Sequence, residues 1–304
     1  MSLKSRARSF SRPYRIDHPR RFHLDDIDPG DTAGIHEDTK RAKEVLARGV
    51  KLLSELQEKL YAQDRWGLLL IFQAMDAAGK DGTIKHVMSG VNPQGVEVHS
   101  FKAPSAEELD HDYLWRCATR VPERGRIGIF NRSYYEEVLV TRVHSEILDR
   151  QKIPRKLVGK RIWEERFDDI NAYERYLTRN GVAIRKFFLH VSKPEQKRRF
   201  LARLEEQAKN WKFSLSDMNE RQYWKDYQHA YEDMIRHTST EHAPWYVVPA
   251  DNKWFTRLVV AAAVVDALDG LDLAFPKVDA AMRKELGVAR KRLEDEGGRP
   301  ARKG

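Results

Sequence analysis

The stretch LLLIFQAMDAAGKDGT, residues 68–83, decides the fold. An apolar run long enough for a buried parallel strand stops at a loop of small residues. Gly79, Lys80, Asp81 and Gly82 follow, and a helix-compatible segment opens at Thr83. This is the layout of a phosphate-binding loop, in which free backbone N–H groups and a helix N-terminus face a polyanion while a lysine reaches its outer phosphates. Against the pattern G-x-x-x-x-G-K-[ST], Ala74 stands for the first glycine and Asp81 for the hydroxyl that normally holds magnesium. A strand–GK–helix run is not rare in a chain of 304 residues, so the loop alone does not settle phosphate chemistry.

Outward from that loop the chain alternates. Strands are expected at 68–73, 96–101, 128–131, 184–191 and 245–249, separated by helices at about 80–89, 106–120, 134–144, 154–179, 194–209, 219–236 and 254–268. A long amphipathic helix over 37–62, with Val45, Leu46, Val50, Leu53, Leu56 and Leu60 at helical spacing, leads into the first strand. Buried strands alternating with helices imply a parallel sheet covered on both faces. The expected fold is therefore α/β, with three layers (α/β/α) around a five-stranded parallel sheet. One segment, about 197–225, breaks the regularity with a basic, aromatic run, KRRFLARLEEQAKNWKFSLSDMNERQYWK. A mobile helical lid over a phosphoryl-transfer site has this composition, because closure excludes water and neutralises charge together; a solvated surface helix pair is the plainer alternative. The division is a basic arm at 1–32, one domain at 33–275 containing the phosphate-loop layout and the lid, and a basic tail at 276–304.

The formal charge of +9 invites a nucleic-acid reading. Residues 1–22 hold seven Lys/Arg against one Asp, and residues 283–304 hold eight against four acids, which leaves the part between them close to neutral. A duplex-binding face would leave the folded part basic, so the ends read as solvated arms and no specific nucleic-acid partner is expected. Arg and Ser in an acid-poor N-terminus also resemble a transit peptide, but Pro13 and Pro19 interrupt its helix. The run LVVAAAVVDAL, 258–268, is too short for a membrane span and reads as a core helix. Cys117, the lone cysteine, fits a reducing compartment, and the expected location is cytoplasmic.

Ligands of an open parallel sheet bind beyond the carboxyl ends of its strands. The residues placed there are Asp76, Lys80 and Asp81 after the first strand, Lys102, Glu107 and Asp110 after the second, Asn131, Arg132, Glu136 and Glu137 after the third, and Lys193 after the fourth. Cations able to hold phosphates and carboxylates able to hold Mg²⁺ are mixed, as phosphoryl transfer requires. No Cys/His cluster has zinc spacing. Plainer roles exist for several of these residues: Asp76 as a loop brace, Asn131–Arg132 as a turn with a surface ion pair, and Glu136 and Glu137 as helix-start acids. Trp211, Trp224, Trp245 and Trp254 read as packing residues rather than base-stacking platforms.

Taken together, QAMDAAGKDGTIK, FKAPSAEELDHDYLWR, GIFNRSYYEEVLVTRV, FFLHVSKPEQKRRF, NWKF and STEHAPWYVVPADNKWF resemble the polyphosphate kinase 2 family from about Tyr14 to Pro276. The resemblance implies a P-loop kinase-like fold and reversible phosphoryl transfer between inorganic polyphosphate and adenine or guanine nucleotides, with Mg²⁺ or Mn²⁺, in a homo-dimer or tetramer. It makes Asp76 and Glu136 metal-associated carboxylates, and Lys80 and Arg132 catalytic cations. Phosphate or nucleotide contacts fall to Ala78, Gly79, Asp81, Gly82, Thr83, Lys85 and Asn131, and to Arg198, Lys209 and Lys212 of the lid. Asn131 occupies the place where many members carry aspartate, and a carboxylate appears at Glu136, a pattern similar to the subgroup acting on both AMP and ADP. A polyphosphate chain offers a row of charges and no base, which suits a cationic channel of Lys80, Lys85, Arg132 and the lid. The competing readings are an ATP-dependent nucleoside monophosphate kinase and a basic-armed nucleic-acid-binding protein.

Overall fold

The computed structural model describes residues 3–36, 40–211 and 213–296. In chain order the elements are α1 (Leu3–Ser11), α2 (Lys40–Gln63), β1 (Gly67–Gln73), α3 (Lys80–Val87), β2 (Val96–Ser100), α4 (Ala106–Leu109), α5 (Trp115–Ala118), β3 (Ile127–Asn131) and α6 (Val140–Val143). There follow α7 (Ile162–Arg179), β4 (Val182–His190), α8 (Lys193–Glu205), α9 (Gln207–Asn210), α10 (Leu215–Asn219), α11 (Trp224–Thr238), β5 (Trp245–Pro249), α12 (Lys253–Asp269) and α13 (Ala280–Glu296).

The five strands form one parallel sheet in the order β2-β3-β1-β4-β5. β1 is central and buried along its whole length, which is why it reads as a continuous apolar run rather than an alternating one. Helices α2, α3 and α12 pack together on one face, and α7 and α11 on the other, giving the expected three layers. Helix α12 is buried from Phe255 to Leu268 except for single positions, as expected of a core helix. No helix among the described residues is long and apolar enough to cross a membrane.

Several expectations need correction; the helix expected at 154–179 is regular only from Ile162, after a 3₁₀ turn at Arg155–Leu157. The basic N-terminus is not a free solvated arm: Tyr14, Ile16, Phe22 and Leu24 are buried, α1 packs on α12, and Ile16 N–H donates to Trp245 O at 2.9 Å. Charge totals hid this, because apolar residues alternate with the arginines and carry the segment onto the edge at β5. The helix expected at 106–120 is two single turns, since the Asp112 carboxylate accepts from Leu114 N–H at 2.9 Å and local side-chain bonding competes with the helix. The helix expected at 134–144 opens as a 3₁₀ segment, Tyr134–Val138, before α6. By contrast α13 is exposed along its length.

Candidate phosphoryl-transfer site

The loop after β1 turns sharply at Gly79, whose φ of 104° suits glycine, and α3 begins at Lys80. Ala77, at φ 62°, shares this left-handed backbone. The Lys80 ammonium folds back to donate to Ala74 O at 2.9 Å, so the residue in the first-glycine place supplies a carbonyl rather than space. Burial, and next the Arg132 charge, lower the Lys80 pKa, while Asp76, Glu136 and Asp81 oppose the change.

β3 ends one register step from the loop, Asn131 beside Phe72, and delivers the second half of the site. Arg132, at φ 63°, donates its N–H to Phe72 O at 3.0 Å and aims its guanidinium at Asp76, with Nη2 to Oδ1 at 2.9 Å. Its Nη1 lies 3.9 Å from Glu136 Oε2, and Gln73 Nε2 donates to Glu136 Oε1 at 3.1 Å. Burial works against the Arg132 charge, but Glu136 and Asp76 outweigh it and raise the guanidinium pKa. Asp76, Arg132 and Glu136 thus form one half-buried row of alternating charge. Asn131 donates from its amide to Asp81 Oδ1 at 2.8 Å, tying the end of β3 to the first turn of α3. Thr83 is buried with its N–H on Gly79 O, while Lys85, Asp81 and Gly82 are exposed. Glu137 turns away from the row into a buried pairing with Arg166 at 3.1 Å and Gln151 at 2.5 Å.

Helix α8 leads away from β4 into the basic segment expected to form a lid, and its cations divide. Arg198 is 70% exposed and held by Glu195 on the outer side. Arg199, which the sequence reading passed over, is buried and donates to Ala77 O and Ala78 O of the loop and to Ala250 O and Asp251 O after β5. Lys212 and the side chain of Lys209 lie outside the described residues. Asp217 of α10 faces the site: burial, and next the Asp76 charge, raise its pKa, while Arg203, Arg132 and Lys80 lower it. Gln196 and Arg199 share the buried face of α8 with Phe200, but Leu201 and Leu204 are exposed, so the apolar pattern of the helix did not mark that face. A cavity of about 300 Å³ opens beside Arg132 and Glu136, lined among others by Lys102, Tyr113, Arg116, Arg150 and Gln151. The Tyr113 hydroxyl in it is buried without a hydrogen-bond partner.

The two carboxylates beside Arg132, with no further group completing a set of three His/Cys/Asp/Glu ligands among the described residues, suit a hard cation that also binds phosphate oxygens and water. The site therefore offers paired cations, loop amides and carboxylates at the carboxyl ends of the adjacent strands β1 and β3, which is the equipment of phosphoryl transfer without a side-chain nucleophile.

Comparison with known proteins agrees with this chemistry. The chain is 53% identical over 260 residues to an ADP-polyphosphate phosphotransferase of Rhodopseudomonas palustris, covering 85% of this chain and 90% of that protein. It is 45% identical over 271 residues to an AMP/ADP-polyphosphate phosphotransferase of Meiothermus ruber, covering 89% and 97%. The crystal structure of polyphosphate kinase 2 from Arthrobacter aurescens superposes with a TM-score of 0.83 at 42% identity, covering 92% of this chain and 96% of that one. The family model of polyphosphate kinase 2 matches residues 36–276, and with the P-loop kinase-like sheet and the paired motifs around Asp76 and Arg132 in place, the chain belongs to the polyphosphate kinase 2 family.

Proposed function

We propose that this chain transfers phosphoryl groups reversibly between inorganic polyphosphate and nucleoside mono- or diphosphates, AMP and ADP among them. The observation that carries the reading is the row Asp76–Arg132–Glu136 at the mouth of a phosphate loop whose lysine is in place. Relatives named for ADP and for AMP/ADP, at 53% and 45% identity, support the acceptor class.

The loop amides and Lys80 hold the terminal phosphates of the donor chain. Arg132 neutralises charge on the transferring group, and the acceptor sits in the cavity beside it, where Lys102, Arg116, Arg150 and the unpaired Tyr113 hydroxyl offer donors to phosphate and sugar. An acceptor phosphate oxygen attacks in line, so positioning and charge neutralisation do the chemistry. Asp76 and Glu136 would hold Mg²⁺ or Mn²⁺, which would supply neutralisation of phosphate charge. Asn131 keeps Asp81 paired; an aspartate there would set two carboxylates against each other, so the amide lowers the local negative charge. Lys209 and Lys212 add lid cations, and Lys85 extends the channel outward, while Arg198, held by Glu195 on the outer side, is left out of it. A homo-dimer or tetramer and a cytoplasmic location complete the proposal.

The test is product formation from ADP, and separately from AMP, with polyphosphate as sole phosphate donor and no ATP added. ATP from ADP, and ADP with ATP from AMP, are expected. Turnover only when ATP is supplied would replace this reading with an ATP-dependent nucleoside monophosphate kinase.

A further inference from the structure

Three consecutive carbonyls of the phosphate loop are bound from one side by α8. Gln196 Nε2 donates to Asp76 O at 2.9 Å, and Arg199 Nη1 to Ala77 O at 3.1 Å and Ala78 O at 2.7 Å. In a planar trans peptide a carbonyl and the following N–H point in opposite directions. Holding these carbonyls from behind therefore turns the amides of Ala77 and Gly79 toward the opposite side, while Ala78 N–H is taken by Met75 O.

The two anchors differ in what stands behind them. Arg199 is fixed by Glu195 and by the carbonyls after β5, all within the folded body. Gln196, 1% exposed, has its other end on the lid: its Oε1 accepts from Arg221 Nη1 at 2.5 Å, and Arg221 lies between α10 and α11. The amide cannot be reversed, because a guanidinium only donates and a carbonyl only accepts. One side-chain amide thus joins the lid to the peptide of Asp76.

Resting on the functional reading above, we propose that Gln196 is a positioning residue that transmits the seating of the lid to Asp76. With Arg221 seated, the Gln196 amide is locked and fixes the Asp76 carbonyl, which aims the Asp76 carboxylate and the Ala77 amide at the reacting phosphate. With Arg221 displaced, Gln196 is free to turn, and the loop keeps only the anchors of Arg199.

Steady-state kinetics of Gln196→Glu, Arg221→Ala and the double variant test this with ADP and polyphosphate. Glutamate keeps an acceptor for Arg221 and loses the donor to Asp76. Gln196→Glu is expected to lower kcat on the order of 10- to 100-fold with little change in KM, as misplacement of a reacting group does. Arg221→Ala is expected to lower kcat less, and the double variant to be no slower than Gln196→Glu alone. Gln196→Met, which can neither donate nor accept strongly, should match Gln196→Glu and serves if the latter folds poorly. Wild-type kcat in both Gln196 variants, or losses that multiply in the double variant, overturn the relay. A wild-type enzyme that makes no ATP from ADP and polyphosphate overturns the functional reading instead, so the two failures are distinct.

Discussion

The loop after β1 and the segment after β3 meet at the Asp76–Arg132 pair, yet opposite chemistry anchors them. Behind the loop, α8 holds backbone carbonyls through two side chains, the buried Arg199 guanidinium paired with Glu195 and the neutral Gln196 amide, whose Oε1 accepts from Arg221. Behind the second segment lies a fully buried charge network. The hydroxyls of Tyr134 and Tyr135 each donate to Glu174 Oε1 at 2.8 Å, and Lys186 donates to Glu174 Oε2 at 2.6 Å, Tyr135 OH at 2.8 Å and Thr238 O at 2.7 Å. Burial, and then Glu174, push both tyrosine pKa values well above the ordinary range, so both stay protonated as donors. A typical hydrogen bond contributes about 1 kcal/mol net, whereas breaking a buried ion pair costs about 3–5 kcal/mol. The difference teaches that Arg132 and Glu136 stand in front of a buried ion pair, while one of the two anchors of the loop carrying Asp76 is a single neutral amide.

The harshest way to probe the comparison is to remove its contact residues. Asp76→Ala and Lys80→Ala should each reduce kcat/KM on the order of 10²-fold or more, with thermal melting little changed; wild-type rates in either would take that residue out of the site. Next comes the buried ion pair. Lys186→Met alone should cost about 3–5 kcal/mol in urea denaturation, because it strands the Glu174 charge in the core. Adding Glu174→Gln removes that charge, keeps an acceptor for the tyrosines and should recover most of the loss. A single-variant cost below about 1 kcal/mol would contradict the picture of a second half backed by that pair.

A gentler probe concerns the end of β4, from which α8 departs. His190 there is buried, its Nδ1 has no partner, and burial pushes its pKa down to about 4 against the pull of Asp251, Asp25 and Asp28. The unfolded chain binds the proton first, so this residue's share of stability is complete above the ordinary histidine pKa and is lost as pH falls toward 4. The expected loss is of order 3 kcal/mol at most, and His190→Gln should flatten that part of the acid limb in denaturation curves. The mildest effect belongs to Arg198→Ala, whose exposed side chain touches only Glu195 among the contacts described: less than about threefold in any kinetic constant. A loss rivalling that of Lys80→Ala would show that the outer face of α8 reaches the donor chain.

The sheet was legible because its signals are local. All five strands occur where apolar runs end in small or polar residues, and the residues after β1 and β3 meet as the rule for open parallel sheets requires. The backing of the site was not legible. Gln196, Arg199 and Arg221 act across separations set by the path of α8 and the segment that follows it, and nothing in a linear run distinguishes Arg199 from its neighbour Arg198 except which face of the helix is buried. Lys186 follows another cation, Arg185, in β4, and its partner Glu174 is one of several acids on α7, so the pair emerges only when β4 and α7 are packed. The N-terminal segment misled for a related reason: net charge is a sum, and burial depends on the order of residues.

The most direct test of the central claim is a crystal structure with a short inorganic polyphosphate chain bound. The chain end should lie against the amides of Ala77 and Gly79, within reach of Lys80 and Arg132 and beside Asp76. A chain bound elsewhere, with the mouth of β1 empty, would contradict the account.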